Sequence, residues 1–303
     1  MKYPEDYFEV IKGKIELKYQ KHFDLNRRLY EIVTSAVEEI NKRKLRTTQI
    51  GIYEKIVLLK LAKNRKHFSA VQELCKLGFG EEAILIIRSM INAVIDLTYI
   101  SKRGKEKLSK RFIMYRWIIE RKRIQSRELL EKFGALQKLE GAELEEWGKN
   151  KIEALAKAKK FSETYSGRKS DWSGCSIEEK AQKTSTKAKK GMEILYQTIY
   201  RYSSDIEHSN TVALANYIKK DIPGEEHLES EPREAYIKDN LEYSFILLAN
   251  IAEIFYKCFG LDSYNESTKA ILPDFYDLYK INAYSLKKLG PHPKRAPGSS
   301  PDY

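Results

Sequence analysis

Arg201, Asp205 and His208 are the residues of this chain whose types and spacing could do chemistry. They lie in MEILYQTIYRYSSDIEHSNTVALANY, residues 192–217, which reads as one helix. The histidine stands seven positions after the arginine, and seven steps of about 100° come back to within roughly 20° of the start. A guanidinium and an imidazole therefore share a face, with the Asp205 carboxylate between them. Arginine is permanently charged and can grip an oxyanion through two parallel N–H groups, and histidine titrates near neutrality and can move a proton. The same three residues also make an ordinary charged helix flank, and spacing alone does not separate the two readings.

Such a cluster needs a scaffold. Leu195, Ile199, Tyr202 and Ile206 run beside it as an apolar stripe, so the segment should lie against a core. Upstream, Glu81 to about Tyr99 is apolar nearly all round, the pattern of a central buried helix, with two glutamates suited to the positive end of its dipole. Within it Arg88, Asn92 and Asp96 recur at every fourth position as a polar line. A buried unpaired charge costs several kcal/mol, so this line must meet polar groups of another helix. The stripe of Arg201, Asp205 and His208, with Ser204 beside it, is the expected partner. Residues 105–133 read as a basic helix in which Phe112, Tyr115 and Trp117 interleave with Arg111, Arg116, Arg121, Lys122 and Arg123. That mixture can stack bases and hold phosphates; the plainer alternative puts the aromatics in the core and the cations on a solvated face.

The remaining sequence is also helical in pattern. Residues 5–45 give one long or broken helix, and 49–77 a second, with Ile52, Ile56, Leu59, Ala70, Leu74 and Leu77 as core candidates. Thr47 or Thr48 could cap that second helix, and Gly78 and Gly80 end it. Residues 140–165 have a thin apolar side of Leu144, Trp147, Ile152 and Leu155, and 162–175 read as a loop ordered around Trp172. Ser176 and Glu179 stand at capping-box spacing. KKDIPGEEHLESEPRE, residues 219–234, reads as a polar surface loop, 233–259 as a strong helix and 268–288 as a shorter helical piece. His22, His67 and His227 read as surface residues, and His292 carries no signal. The expected architecture is all-α, a helical bundle at 48–288 with an N-terminal helical arm at 1–47 and a flexible Pro/Ser/Gly-rich tail at 289–303.

A net charge of +12 over 303 residues points to an anionic partner, nucleic acid being the commonest. The charge is uneven: residues 102–132 hold twelve Lys and Arg against four Glu, whereas 221–242 are acid-rich. Cys75, Cys175 and Cys258 lie far apart without a CxxC, which indicates neither a disulfide framework nor zinc and fits a reducing cytosol. The N-terminus lacks an apolar h-region, and the most apolar run is interrupted by Arg88, Asn92 and Asp96, so neither secretion nor membrane spanning is expected. There is no Walker loop, GxGxxG, HExxH or GxSxG, and neither a metal nor another cofactor is expected.

The order GFGEEAILIIRSMINAVIDLTYI, basic helix, Trp-containing loop, YRYSSDIEHSNTVALANY resembles an uncharacterised bacterial helical family over residues 75–220. That family is marked by an RS-containing buried helix and a downstream Y-R-x-x-S-x-x-x-H helix. It leads one to expect an acid near Asn92; here such a role passes to Asp96 or is absent. The Arg201 to His208 spacing is also similar to the signature of the HEPN superfamily, with Tyr202 where a polar residue usually follows the arginine. The likeness implies a HEPN-like bundle, metal-independent RNA cleavage of toxin or phage-defence type, a homodimer that completes the site, and an antitoxin or other protein partner. In that chemistry the RNA 2′-OH attacks its own phosphate, which requires a proton moved and charge stabilised on the pentavalent phosphorus. His208 would be the general acid/base, Arg201 the phosphate clamp, Asp205 the orienting group and 105–133 the RNA track. The competing expectation is a non-catalytic RNA- or nucleotide-binding or protein-interaction module in which the same residues lock helices together.

Overall fold

The computed structural model describes residues 6–44, 49–165, 171–185, 190–207, 218–222, 225–228 and 232–280. The fold is an all-α bundle. α1 (Tyr7–Lys18) and α2 (Gln20–Lys42) are separate helices broken at Tyr19. Ile15 of α1 and Leu25, Leu29, Val33, Ala36 and Ile40 of α2 join the main core, so both helices are integrated with the bundle. The tail at 289–303 and the proposed Thr47 and Thr48 caps lie outside the described residues.

α3 (Ile52–Lys76) and α4 (Gly80–Arg103) form the central hairpin. α4 is the buried helix its composition announces: Ile84, Ile87, Met90, Ile91, Val94, Ile95, Leu97 and Ile100 are all almost fully enclosed. Among the described residues it is also the one helix long and apolar enough to cross a membrane, with most of its apolar stretch enclosed by the bundle. On α3 the buried face runs through Tyr53, Ile56, Val57, Leu61, Phe68, Val71 and Cys75. Ile52 and Leu59, expected in the core, are 39% and 67% exposed. The run IVLLKLA is apolar on more than one face, so periodicity alone does not choose the packed one.

The α3–α4 turn is tight because another chain segment lies on it. Gly78 has φ +82°, and its carbonyl accepts from Arg233 N–H at 2.9 Å. A Cβ on Gly80 would sit 2.1 Å from the Ala235 carbonyl oxygen. That segment leads into α11 (Ile237–Phe259), which packs on α2, α3 and α4 through Leu241, Phe245, Leu248, Ile251 and Phe255, before α12 (Asp262–Ala270) and α13 (Leu272–Tyr279) close the bundle.

The basic stretch is two helices, α5 (Lys105–Met114) and α6 (Arg116–Lys132), divided at Tyr115. α6 pairs with α7 (Gly141–Thr164) around a separate small core of Ile118, Ala158 and Phe161. Leu144 and Ile152, expected on the apolar side of α7, are exposed, and Ala154, Ala158 and Phe161 are buried instead. α8 (Ile177–Thr184) opens on the expected capping box of Ser176 and Glu179. Within the expected 219–234 loop, β1 (Ile218–Ile222) and β2 (Glu225–Leu228) form a short antiparallel ribbon, with Ile218 opposite Leu228. The high polar content of the segment concealed that pairing.

Candidate functional site

The helix expected to carry the chemistry is not uniform. α9 (Gly191–Leu195) passes into a π-helical turn, Tyr196–Tyr200, and then into α10 (Arg201–Glu207). A π-turn takes one residue more than an α-turn, so positions beyond it are displaced around the axis; such turns are frequent at functional sites. The buried line accordingly runs Leu195, Ile199 and Ser203. The Ser203 hydroxyl donates to the Tyr200 carbonyl at 2.9 Å. Tyr196 and Tyr200 stack with ring centroids 5.1 Å apart.

Arg201 opens α10 with an exposed side chain that donates to Gln197 Oε1 at 3.1 Å. Ser204 is half-buried on the same helix. The side chains of Tyr202 and Asp205, and the whole of His208, lie outside the described residues.

Among the described residues, the α4 polar line meets this helix through Arg88. Arg88 donates to the Tyr200 hydroxyl at 3.1 Å and lies 4.9 Å from the centre of its ring. This brings α4 against the residue preceding Arg201. Asn92 is half-buried one turn further along. Asp96, expected to share the partner, turns to three other elements. Its Oδ2 accepts from Lys60 of α3 at 3.1 Å, and its Oδ1 accepts from Lys180 of α8 at 2.8 Å and from the Trp172 indole at 3.1 Å. Lys180 is only 2% exposed and donates also to Asp171 at 2.9 Å. Burial would push the Asp96 carboxyl up, but the Lys60 and Lys180 ammoniums outweigh it and hold the group below the usual carboxylate range. Burial would likewise lower the Lys180 ammonium, and Asp96 and Asp171 raise it overall. Two cations and two anions thus compensate one another in a seam that locks the Trp172 loop and α8 onto α3 and α4.

A second polar pair lies two turns along that interface. His67 Nε2 is 3.3 Å from the Ser89 hydroxyl. From Lys60 to His67 the chain advances seven residues on α3, while from Asp96 to Ser89 it retreats seven on α4, the register of an antiparallel pair. His67 is half-buried rather than a surface residue, and burial, then the Lys63 charge, lower its pKa below the ordinary histidine value. His22 is also drawn inward, edge-on to Tyr19 and Tyr279 at 5.6 and 5.0 Å, with its pKa lowered by burial and then by Lys238.

The aromatic residues of the basic stretch divide. Phe112 packs edge-on to Trp172 at 5.2 Å, and Tyr115 edge-on to Phe161 at 5.7 Å. Trp117 is half-buried, with Arg116 4.2 Å and Lys157 4.3 Å from its ring centre. Arg111 covers Tyr165 at 5.0 Å, Arg121 is half-buried, and Arg123 is paired to Glu120 at 3.3 Å. Arg116, Lys122 and Arg123 are exposed. Sequence reasoning missed Lys60, Asp171 and Lys180; the one available signal was Lys60, the only charge in the run IVLLKLA. Among the described residues no group of acids, histidines and cysteines is placed to hold a metal ion.

Fold and seam together define an all-helical protein with a charge-compensated centre and a basic helical pair. The profile of a family of unknown function, DUF5677, matches residues 54–226, more than half of the chain, and the chain belongs to that family. The matched region contains the whole seam, the basic helices and the Arg201 to His208 segment. Neither the curated proteins nor the solved structures yield a match.

Proposed function

We propose that this protein is a metal-independent endoribonuclease of HEPN type, acting as a toxin or phage-defence effector in the cytoplasm and working as a homodimer. The observation that supports the reading is the contact of Arg88 with Tyr200, which holds the turn preceding Arg201 against the central helix, with the Arg201 side chain exposed. Arg201 holds the scissile phosphate, His208 transfers the proton, Asp205 orients one of them, and the exposed cations Arg116, Lys122 and Arg123 guide RNA. This chemistry uses a proton carrier and a fixed cation, so cleavage should persist in EDTA.

The test incubates purified protein with total cellular RNA in EDTA. Wild type should give discrete fragments ending in 2′,3′-cyclic phosphate, and Arg201→Ala and His208→Ala should give none while retaining RNA binding. A non-catalytic binding module is the second reading, favoured by the packing of Phe112 and Tyr115 into cores instead of onto bases. On that reading wild type yields no fragments at any protein concentration, and His208→Ala lowers the melting temperature.

A further inference from the structure

Away from Arg201, a cleft of about 510 Å³ opens between the C-terminal end of α4, the start of α5, and α3, α8, α9 and α11. Its floor combines apolar and small polar groups: Tyr53, only 6% exposed, Ile254, Met192, Thr98, Thr184 and Asn250. Among the described residues its lining also carries three ammonium groups, Lys102, Lys105 and Lys257, and one carboxylate, Glu253, with the Glu54 carboxylate beside Lys105. Lys102 donates one N–H to the Thr184 carbonyl at 2.8 Å, Lys105 is 3.1 Å from Glu54, and Lys257 is paired with Glu253. An ammonium has three donors, so each retains hydrogen-bonding capacity towards the cleft. Cys258, also on the wall, has its thiol pushed up to about 11 by burial, which leaves it uncharged there at neutral pH.

A cavity of this size lies within the range of about 300–1,000 Å³ typical of small-molecule sites. An excess of cations beside apolar side chains selects an amphipathic anion: the charged end pairs with the lysines, and the body displaces water from Met192 and Ile254. We propose that this cleft binds a small phosphomonoester carrying a ring, with the phosphate at Lys102, Lys105 and Lys257 and the ring against Met192 and Ile254. The proposal does not rest on RNA cleavage: among the described residues, neither Arg201 nor the cations assigned to RNA line the cleft.

The test is isothermal titration of the full chain with AMP and with glucose 6-phosphate, using adenosine and inorganic phosphate as partial ligands. At least one phosphomonoester should bind, with its partial ligands about tenfold or more weaker, a difference of about 1.4 kcal/mol. Lys102→Gln with Lys257→Gln should weaken binding by at least that factor, and Ile254→Trp, which fills the floor and keeps every lysine, should abolish it. Lys159→Gln on α7 should change nothing. Binding of neither phosphomonoester, inorganic phosphate binding as tightly as either, or Ile254→Trp binding as well as wild type would overturn the proposal. Unfolding midpoints of the variants, measured in parallel, separate loss of the site from loss of the fold.

Discussion

Replacing Asp96 by alanine tests whether the seam between α3, α4 and α8 is a stabilising centre. Asp96 is 7% exposed, and its carboxylate accepts three hydrogen bonds, two of them from ammonium groups. Without it, the enclosed Trp172 N–H loses its acceptor, a cost of about 1–3 kcal/mol. Lys180 keeps only Asp171, whose side chain is 29% exposed, and therefore becomes a buried cation with half its compensation. Breaking a buried pair from one side typically costs about 3–5 kcal/mol, and Asp96→Ala should fall in that range. Lys60→Ala removes a side chain that is 20% exposed and should cost about 1 kcal/mol, because solvent already screens that half of the seam. Urea unfolding followed by tryptophan fluorescence measures both. A loss below about 1 kcal/mol for Asp96→Ala, or equal losses for the two variants, would refute the reasoning. The pH dependence has a definite sign. A carboxyl held below its unfolded value contributes stability that is complete above the unfolded pKa and is lost as pH falls through the folded one. Lys180, raised above 10.5, contributes stability that is complete below that value and is lost as pH rises through its folded pKa. Asp96→Ala should therefore flatten the stability profile at both extremes.

Gly80→Ala should destabilise by about 1–3 kcal/mol, since its Cβ would meet the Ala235 carbonyl and the hairpin would have to move off the segment entering α11; an unfolding midpoint equal to wild type would count against that close approach. His22 and His67 both have lowered pKa values in the folded chain, so protonation favours unfolding as pH falls below about 6.5. The double variant His22→Phe with His67→Gln should lose less stability than wild type between neutral and mildly acid pH, as read from thermal midpoints across that range. Ser176→Ala removes a capping box and should cost about 1 kcal/mol in the same urea assay.

What could be read from the sequence was what local pattern encodes. The continuous apolar surface of α4, the Ser176 capping box and the indole-centred order at Trp172 each depend on residues close together in the chain. The Lys60, Asp96, Lys180 set draws on α3, α4 and α8, and no spacing rule connects residues that far apart. Arg88 and Asp96 share one stripe yet face different partners, because α4 is sandwiched and presents one polar line to neighbours on more than one side. The π-turn escaped for another reason. It is a slip in the backbone hydrogen-bond ladder, and YQTIY has nothing in its composition to forbid the regular ladder. On α3, four closely spaced aliphatic residues left the choice of buried face to packing.

The small core shared by α6 and α7 gives the molecule two cooperative units of unequal strength. The smaller unit is held by Ile118, Ile124, Ala154, Ala158 and Phe161 with a few half-buried aromatics, whereas the larger is built on α2, α3, α4 and α11. Local opening of the α6–α7 pair therefore costs less than global unfolding, and that pair carries Arg116, Lys122 and Arg123. Opening of that pair would rearrange the basic surface while the central seam stays closed.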